Sequence, residues 1–263
     1  MTQFAALERA TVPRGNRPAP GSPPDPLPGT LLLRGVVGST AYGLAHESSD
    51  HDWLGCYAVS TEVVLGLDGY AAVSGSHVTK SPDQTLHEVG KFVSLALVTN
   101  PTVSELLWLP EYETLHPAGQ LLVEHREKFL SDPYVRSAYG GYATQQARKL
   151  LARDTEGKSG FGRVSAHRVR KHGRHCFRLM LQAAELLSTG TLTLDVSAHR
   201  DRLFAMGELA ATDPGRFTQL FEAEHVKLQS MPSVLPQQAD RAAASDLLVA
   251  VRRSVDSPGV EGR

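Results

Sequence analysis

The order of apolar and polar positions between residues 30 and 90 predicts a small group of β-strands. The first apolar run is interrupted only by Arg34 and Gly35 and stops at Gly38, which is typical of a buried strand. Residues 39–44, directly after it, favour a short helix or turn. The later runs are shorter or alternate more loosely. In chain order, the predicted strands cover residues 31–37, 52–59, 70–78 and 84–87.

After residue 88 the spacing of apolar residues becomes helical. A stripe from Val89 to Leu97 predicts a helix that ends near Asn100-Pro101, because the residue before a proline disfavours the helical conformation. The further predicted helices cover residues 103–109, 117–130, 133–153, 164–188, 199–212, 214–230 and 238–253. Strands followed by helices predict the α+β class, with a small mixed β-sheet head followed by a helical C-terminal domain.

The N-terminal segment has a different composition from the rest of the chain. Seven of the 16 prolines lie between Pro13 and Pro28, and proline is excluded from helix interiors and central strands. We therefore predict three regions: a flexible leader over residues 1–29, the head over residues 30–115 and the helical domain over residues 116–256.

Composition excludes several classes of protein. The 263 residues carry a formal net charge of -1, which argues against a uniformly basic nucleic-acid coat. The two cysteines are isolated, so a disulfide framework and a cysteine-based zinc site are both disfavoured and a reducing cytoplasm is expected. No apolar run reaches the length of a membrane span, and no signal-peptide pattern begins the sequence, so we expect no membrane association.

The most informative pattern is a Gly-Ser pair, Gly38-Ser39, followed ten residues later by Asp50 and Asp52. Residues two apart in a strand point to the same side, so these aspartates would present two carboxylates to one space. Their repulsion calls for a cation, and oxygen ligands select hard ions such as Mg²⁺ or Mn²⁺. Gly38 would let the backbone approach a ligand, and Ser39 with nearby N–H groups could hold a phosphate. Together they predict phosphoryl or nucleotidyl transfer from a nucleoside triphosphate.

A second metal ion would require a third acid. Asp83 and Glu88 flank the fourth predicted strand, and their odd separation points them to opposite faces, so only one of them can join the pair. The residues themselves leave that choice open.

The run GSTAYGLAHESSDHDWLG, residues 38–55, resembles the nucleotidyltransferases of the DNA polymerase β superfamily. Within that superfamily the chain is similar to the RNA-repair-associated, RlaP-like family of predicted nucleotidyltransferases, over roughly residues 30–253. The segments HEVGKFVSLAL, NPTVSELL, KHGRHCFRL and LLSTG carry the rest of the likeness.

The resemblance implies a small mixed sheet with acids on adjacent strands and a helical domain after it. It implies that Gly38 and Ser39 lie at the nucleotide phosphates and that Asp50 and Asp52 bind metal. It also favours Asp83 over Glu88 as the third metal ligand. The sequence departs from the family where an acid is often found two residues before Lys171.

A basic segment lies in the second half of the chain, where residues 141–180 hold ten Lys and Arg against two acids. Lys171, His175 and Arg178 share one helix face by their spacing and are candidate ligands of the triphosphate. An ordinary solvated basic face is the competing interpretation. A third is that RNA or DNA lies along residues 148–178 as the acceptor strand. Tyr42 is a candidate for stacking on the nucleotide, or else packs in the core.

We therefore expect a metal-dependent enzyme that moves a nucleoside monophosphate from an NTP to an acceptor hydroxyl, with an RNA 3′-end favoured, and releases pyrophosphate. A small molecule or a protein (AMPylation) is an alternative acceptor, and a non-catalytic nucleotide-binding module is an alternative to the enzyme.

Four histidines lack the paired spacing of a zinc site and are given no metal-binding role: His46, His51, His77 and His87.

Overall fold

A computed structural model describes residues 27–46, 49–67, 69–141, 144 and 166–257. Nearly all of the predicted leader therefore lies outside the described residues, as does the second half of the helix predicted over 133–153. Within the described part of the chain, every helix is too short or too polar to span a bilayer.

The described strands form one five-stranded mixed sheet in the order β3-β4-β2-β1-β5. The strands are β1 (Thr30–Val37), β2 (Asp52–Ala58), β3 (Ser76–Lys80), β4 (Asp83–Glu88) and β5 (Thr114–Leu115). β1 is antiparallel to both β2 and β5, β3 is antiparallel to β4, and β2 is parallel to β4. The predicted strands at 31–37, 52–59 and 84–87 are confirmed to within one or two residues.

The prediction of one strand over Tyr70–Val78 is wrong, because this stretch contains the end of a short helix and the beginning of a strand. Residues Gly69–Val73 form a short helix, and β3 begins only at Ser76. Ser74 and Gly75 separate the two elements, and the short side chains before them suit a helical turn better than a strand.

Helices cover the sheet and continue to the end of the described chain. They are α1 (Gly38–Ala41), α2 (Thr61–Leu65), α3 (Gly69–Val73), α4 (Val89–Leu97), α5 (Pro101–Leu107), α6 (Pro117–Glu124), α7 (Asp132–Val135), α8 (Ala166–Thr189), α9 (Arg200–Thr212), α10 (Pro214–Ser230) and α11 (Arg241–Asp256). Short 3₁₀ segments cover Arg126–Phe129 and Ser197–His199, and a π-helical segment extends α7 over Arg136–Gly141. This arrangement confirms the α+β class.

One large hydrophobic cluster joins the sheet to the later helices. It runs from Leu32 in β1 to Val251 in α11 and includes Leu179 and Leu186 on the buried side of α8. Because residues from both sides of position 115 share this cluster, the division into a head and a helical domain stays a prediction.

The sheet topology decides where the site is assembled. Val37, the last residue of β1, pairs with Asp52, the first residue of β2. The parallel register sets Trp53 beside Gln84, so the first residues of β2 and β4 lie at the same end of the sheet. The end of β1 and the beginnings of β2 and β4 therefore meet at one edge.

Candidate active site

Three predicted aspartates lie at this end of the sheet, which we call the carboxylate edge and define by Gly38, Asp50, Asp52 and Asp83. Asp52 begins β2 and is partly buried, whereas Asp50 and Asp83 are exposed. Asp50 precedes the strand, so strand alternation does not fix its direction, contrary to the argument from sequence. The edge nevertheless gathers the acids that the Gly-Ser and Asp-x-Asp pattern predicted to lie together.

The pKa of Asp52 shows that the three acids lie close enough to interact. Burial raises the pKa of the Asp52 carboxyl above its ordinary value, and the carboxylates of Asp83 and Asp50 raise it further. The ammonium group of Lys171, on α8, acts in the opposite direction. Three carboxylates therefore share this space with one lysine, which is the charge imbalance that a divalent cation relieves.

The described residues hold no ready-made group of three or more His, Cys, Asp or Glu side chains in metal-binding geometry. The donor set at the edge still fits a hard cation, since it consists of carboxylate oxygens, and two of the three carboxylates are exposed.

Gly38 forms the turn between β1 and α1 at the edge. Its φ of +72° lies in the left-handed region, and a Cβ placed there would lie 2.6 Å from Oδ2 of Asp52. Glycine is required at this position for both reasons, because a side chain would be strained and would displace the carboxylate. Ser39 follows in the first turn of α1 and is partly buried.

A cleft of about 390 Å³ opens beside the carboxylate edge. Its floor is one face of the sheet, with Asp52 from β2 and three alternate residues of β4, Asp83, Thr85 and His87. Helices α5 and α8 supply the opposite wall. The cleft therefore joins the acids of the sheet to the helical half of the chain.

A buried ion pair holds that wall. Nη1 of Arg178 on α8 donates to Oε1 of Glu105 on α5 at 3.0 Å and to Oε1 of Gln182 at 2.6 Å. The Tyr42 hydroxyl donates to Oε2 of Glu105 at 2.7 Å, and its ring lies 3.7 Å below the Arg178 guanidinium carbon. Both side chains of the ion pair are almost fully buried.

The ion pair changes the interpretation of several residues predicted to bind the nucleotide. Tyr42 and Arg178 line the cleft but are already bonded to Glu105, so they build the wall. His175 also lines it, with Nδ1 3.0 Å from Nη2 of Arg178. Burial, followed by the charge of Arg178, lowers the pKa of His175 to about 3. Lys171 is the exposed member of the predicted trio and the one that acts on Asp52.

Glu88, the alternative third acid, does not belong to the carboxylate edge. It is fully buried at the other end of β4, beside Tyr57, about 16 Å along the strand from Asp83. Its Oε1 accepts from Nη2 of Arg252 at 2.9 Å, and its Oε2 caps α4 by accepting from the backbone N–H of Gly90 at 2.7 Å. Glu88 therefore stabilises the fold at the far end of β4, and of the two alternative acids only Asp83 lies at the carboxylate edge.

The described part of the basic segment is less open than its composition predicted. Arg170 is paired with Glu208 on α9, with one N–O distance of 2.7 Å. Arg174 lies over the ring of Phe204 at 4.4 Å, and Arg178 is buried. Half of the ten basic residues lie outside the described residues: Arg148, Lys149, Arg153, Lys158 and Arg163.

Sequence reasoning missed two residues of the cleft. Glu105 was not among the candidate site residues, although an acid within the apolar sequence of α5 must find a cationic partner when the helix is buried. His87 was considered only as a possible metal ligand and was given no such role. No local sequence pattern indicated that this histidine faces the cleft.

Comparison with known protein families gives a match that covers most of the chain. A model described as "RlaP: RNA repair pathway DNA polymerase beta family" matches residues 10–227. The match begins inside the predicted leader and ends before residue 253, so its extent differs from the expected 30–253 at both ends. No curated protein shows significant similarity to the chain. The family match, together with the mixed sheet and its carboxylate edge, establishes that the chain belongs to the RNA repair pathway DNA polymerase beta family.

Proposed function

We propose that the protein is a metal-dependent nucleotidyltransferase that moves a nucleoside monophosphate from an NTP to an acceptor hydroxyl and releases pyrophosphate. The observation that carries the proposal is the position of Asp52, whose carboxyl is flanked by Asp83 and Asp50 and lies against the Gly38 turn. Membership of a DNA polymerase β family supports the same chemistry.

Asp52, with Asp50 and Asp83, would hold Mg²⁺ or Mn²⁺ at the carboxylate edge. Bound cations would neutralise charge on the triphosphate and lower the pKa of the attacking hydroxyl. Residues of the chain would position the triphosphate. The backbone of Gly38, which has no side chain, lets phosphate oxygens come close to the end of β1, and the Ser39 hydroxyl lies in the first turn of α1. Lys171, exposed on α8, would supply a positive charge near Asp52 for the triphosphate.

For the acceptor we propose the 3′-hydroxyl of an RNA. The family description names an RNA repair pathway, and the excess of basic residues over positions 141–180 provides charge for a phosphate backbone. A drug-sized molecule or a protein side chain is the competing acceptor.

The test is transfer of label from each α-³²P-NTP to a panel of RNAs, proteins and small hydroxylated molecules, with Mg²⁺ or Mn²⁺ present and after their removal with EDTA. We expect labelled RNA and pyrophosphate in the presence of metal and neither product in EDTA. Metal-independent transfer would contradict the proposed role of the acids.

Salt separates the possible acceptors in the same assay. Binding of single-stranded RNA should weaken steeply with salt, with a log-log slope of about -0.7 for each phosphate contact. An acceptor of drug size should show no such slope, and transfer to it alone would overturn the choice of RNA.

Gly38→Ala tests the turn, and Gly190→Ala is its matched control. Both glycines have φ above +70°, so each substitution should lower the free energy of unfolding by about 1–2 kcal/mol. A Cβ at Gly190 meets nothing closer than 3.8 Å, whereas a Cβ at Gly38 meets the Asp52 carboxylate. We therefore expect transfer to fall on the order of 100-fold in Gly38→Ala and to stay unchanged in Gly190→Ala. Equal activity in the two variants would show that the turn does not act through Asp52.

A further inference from the structure

His87 has a defined place on the floor of the cleft. Asp83, Thr85 and His87 alternate along β4 and face the cleft together, so His87 is the third residue of this row. It lies about 13 Å along the strand from Asp83, at about 3.3 Å per residue. The metal ions and the triphosphate are assigned to the Asp83 end, so His87 lies beyond them.

Two side chains next to His87 favour one position for the ring hydrogen. Nζ of Lys91 donates to Oγ of Ser76 at 2.8 Å, and Oγ of Ser76 lies 2.8 Å from Nδ1 of His87. An ammonium group can only donate, so Oγ of Ser76 accepts from Lys91. In the arrangement that also uses the Ser76 hydroxyl hydrogen, Ser76 donates to Nδ1 of His87, and the ring hydrogen is on Nε2.

The same environment keeps the ring neutral. Burial, followed by the nearby Lys91 charge, lowers the pKa of His87 to about 4. A neutral imidazole donates from one ring nitrogen and accepts at the other, whereas a cationic one only donates. The chain of three residues therefore presents a fixed, uncharged hydrogen-bond donor to the cleft.

We propose that His87 is a nucleotide-binding residue whose Nε2–H donates to an acceptor atom of the nucleoside part of the NTP, with Ser76 and Lys91 as the residues that position its ring. This inference rests on the proposed function, because it takes the phosphates to lie at the carboxylate edge. It gives the floor of the cleft two ends, one for the charged phosphates and one for the uncharged nucleoside.

Binding of NTP and of inorganic tripolyphosphate, both measured by calorimetry with Mn²⁺, tests the proposal. His87→Phe keeps a flat ring but loses the donor, and we expect its NTP dissociation constant to rise about 3- to 10-fold. Its affinity for tripolyphosphate should not change. His87→Gln keeps a neutral donor and should retain part of the affinity. His77→Phe is the matched control, since His77 lies in the adjacent strand and alternates with Ser76.

Two outcomes would overturn this role while leaving the enzyme proposal intact: wild-type NTP affinity in His87→Phe, or an equal loss for NTP and tripolyphosphate. Failure of the proposed function is distinct, because the wild-type chain itself would then neither bind NTP with metal nor transfer label.

A second readout does not depend on activity. Long-range ¹H–¹⁵N correlation spectra at pH 7 should show His87 as the Nε2–H tautomer in the wild-type chain and a mixture of tautomers in Ser76→Ala. An Nδ1–H tautomer in the wild-type chain would contradict the hydrogen-bond chain and the proposal with it.

Discussion

Replacing Asp52 with asparagine is expected to reduce nucleotidyl transfer roughly 1,000-fold and, at the same time, to stabilise the fold at neutral pH. The loss of activity follows from removing the carboxylate at the centre of the proposed metal site, a loss of about 4 kcal/mol of transition-state stabilisation. The carboxamide of asparagine has nearly the same shape but no charge, so the cleft keeps its form. Label transfer and thermal unfolding of the same preparation measure the two effects.

The stabilisation has a definite pH dependence. Burial and the Asp83 and Asp50 carboxylates raise the pKa of Asp52 in the folded state, so the folded chain holds this proton more tightly than the unfolded chain does. Ionisation of Asp52 therefore costs stability as pH rises from the unfolded pKa through the raised folded pKa, and the full cost remains at pH 7. The advantage of Asp52→Asn should be present at neutral pH and shrink toward zero as the pH falls below about 4.

Asp246→Asn is the control for Asp52→Asn. Asp246 is an exposed aspartate on α11, a helix that packs against α4 and α6. Its substitution should leave transfer unchanged. If Asp52→Asn kept full activity, or lost activity only together with stability, the carboxylate edge would not be the reaction centre.

Breaking the buried ion pair of the cleft wall is expected to have the largest effect on folding. Arg178→Met leaves the Glu105 carboxylate buried beside the Tyr42 hydroxyl with no cation, and the free energy of unfolding should fall by about 3–5 kcal/mol. The double variant Arg178→Met/Glu105→Gln removes both charges and should recover part of the loss. Urea unfolding of the single and double variants measures the coupling.

The same helix supplies a matched exposed pair. Arg170 and Glu208 retain 35% and 53% side-chain exposure, against 2% and 5% for Arg178 and Glu105. Arg170→Met should therefore lower the free energy of unfolding much less than Arg178→Met does, because solvent screens the exposed charges. An equally small cost for Arg178→Met would mean that the wall does not depend on its ion pair.

The sequence predicted the elements with strong local patterns. β1 and β2 follow mainly apolar runs, α4 ends before Asn100-Pro101 as predicted, and the helices α9 and α10 agree with their predicted ranges to within a residue. The sequence did not predict that Asn100 caps α5 by accepting from the backbone N–H groups of Thr102 and Val103, and α5 begins two residues earlier than expected, at Pro101. The Gly-Ser and Asp-x-Asp pattern likewise identified the carboxylate edge.

The features that could not be predicted from the sequence depend on contacts between residues far apart in the chain. β5 has only two residues, which is too few to show an alternation of apolar and polar positions, and it forms because it pairs with β1. Glu105 and Arg178 are 73 positions apart, so no local pattern joins them. The sequence favoured Asp83 over Glu88 only through the family resemblance, and the position of Asp83 beside Asp52 depends on the parallel register of β2 and β4.

The connection between the parallel strands β2 and β4 lies away from the carboxylate edge for most of its length. Residues 59–82 leave the far end of β2, pass through α2, α3 and β3 and return to the beginning of β4. Asp52 is held by the pairing of β2 with β1, and Asp83 by the pairing of β4 with its neighbours, including Lys80 of β3. The part of the crossover before β3, which includes the fully exposed Leu67, can therefore change in length or surface without breaking these strand pairings.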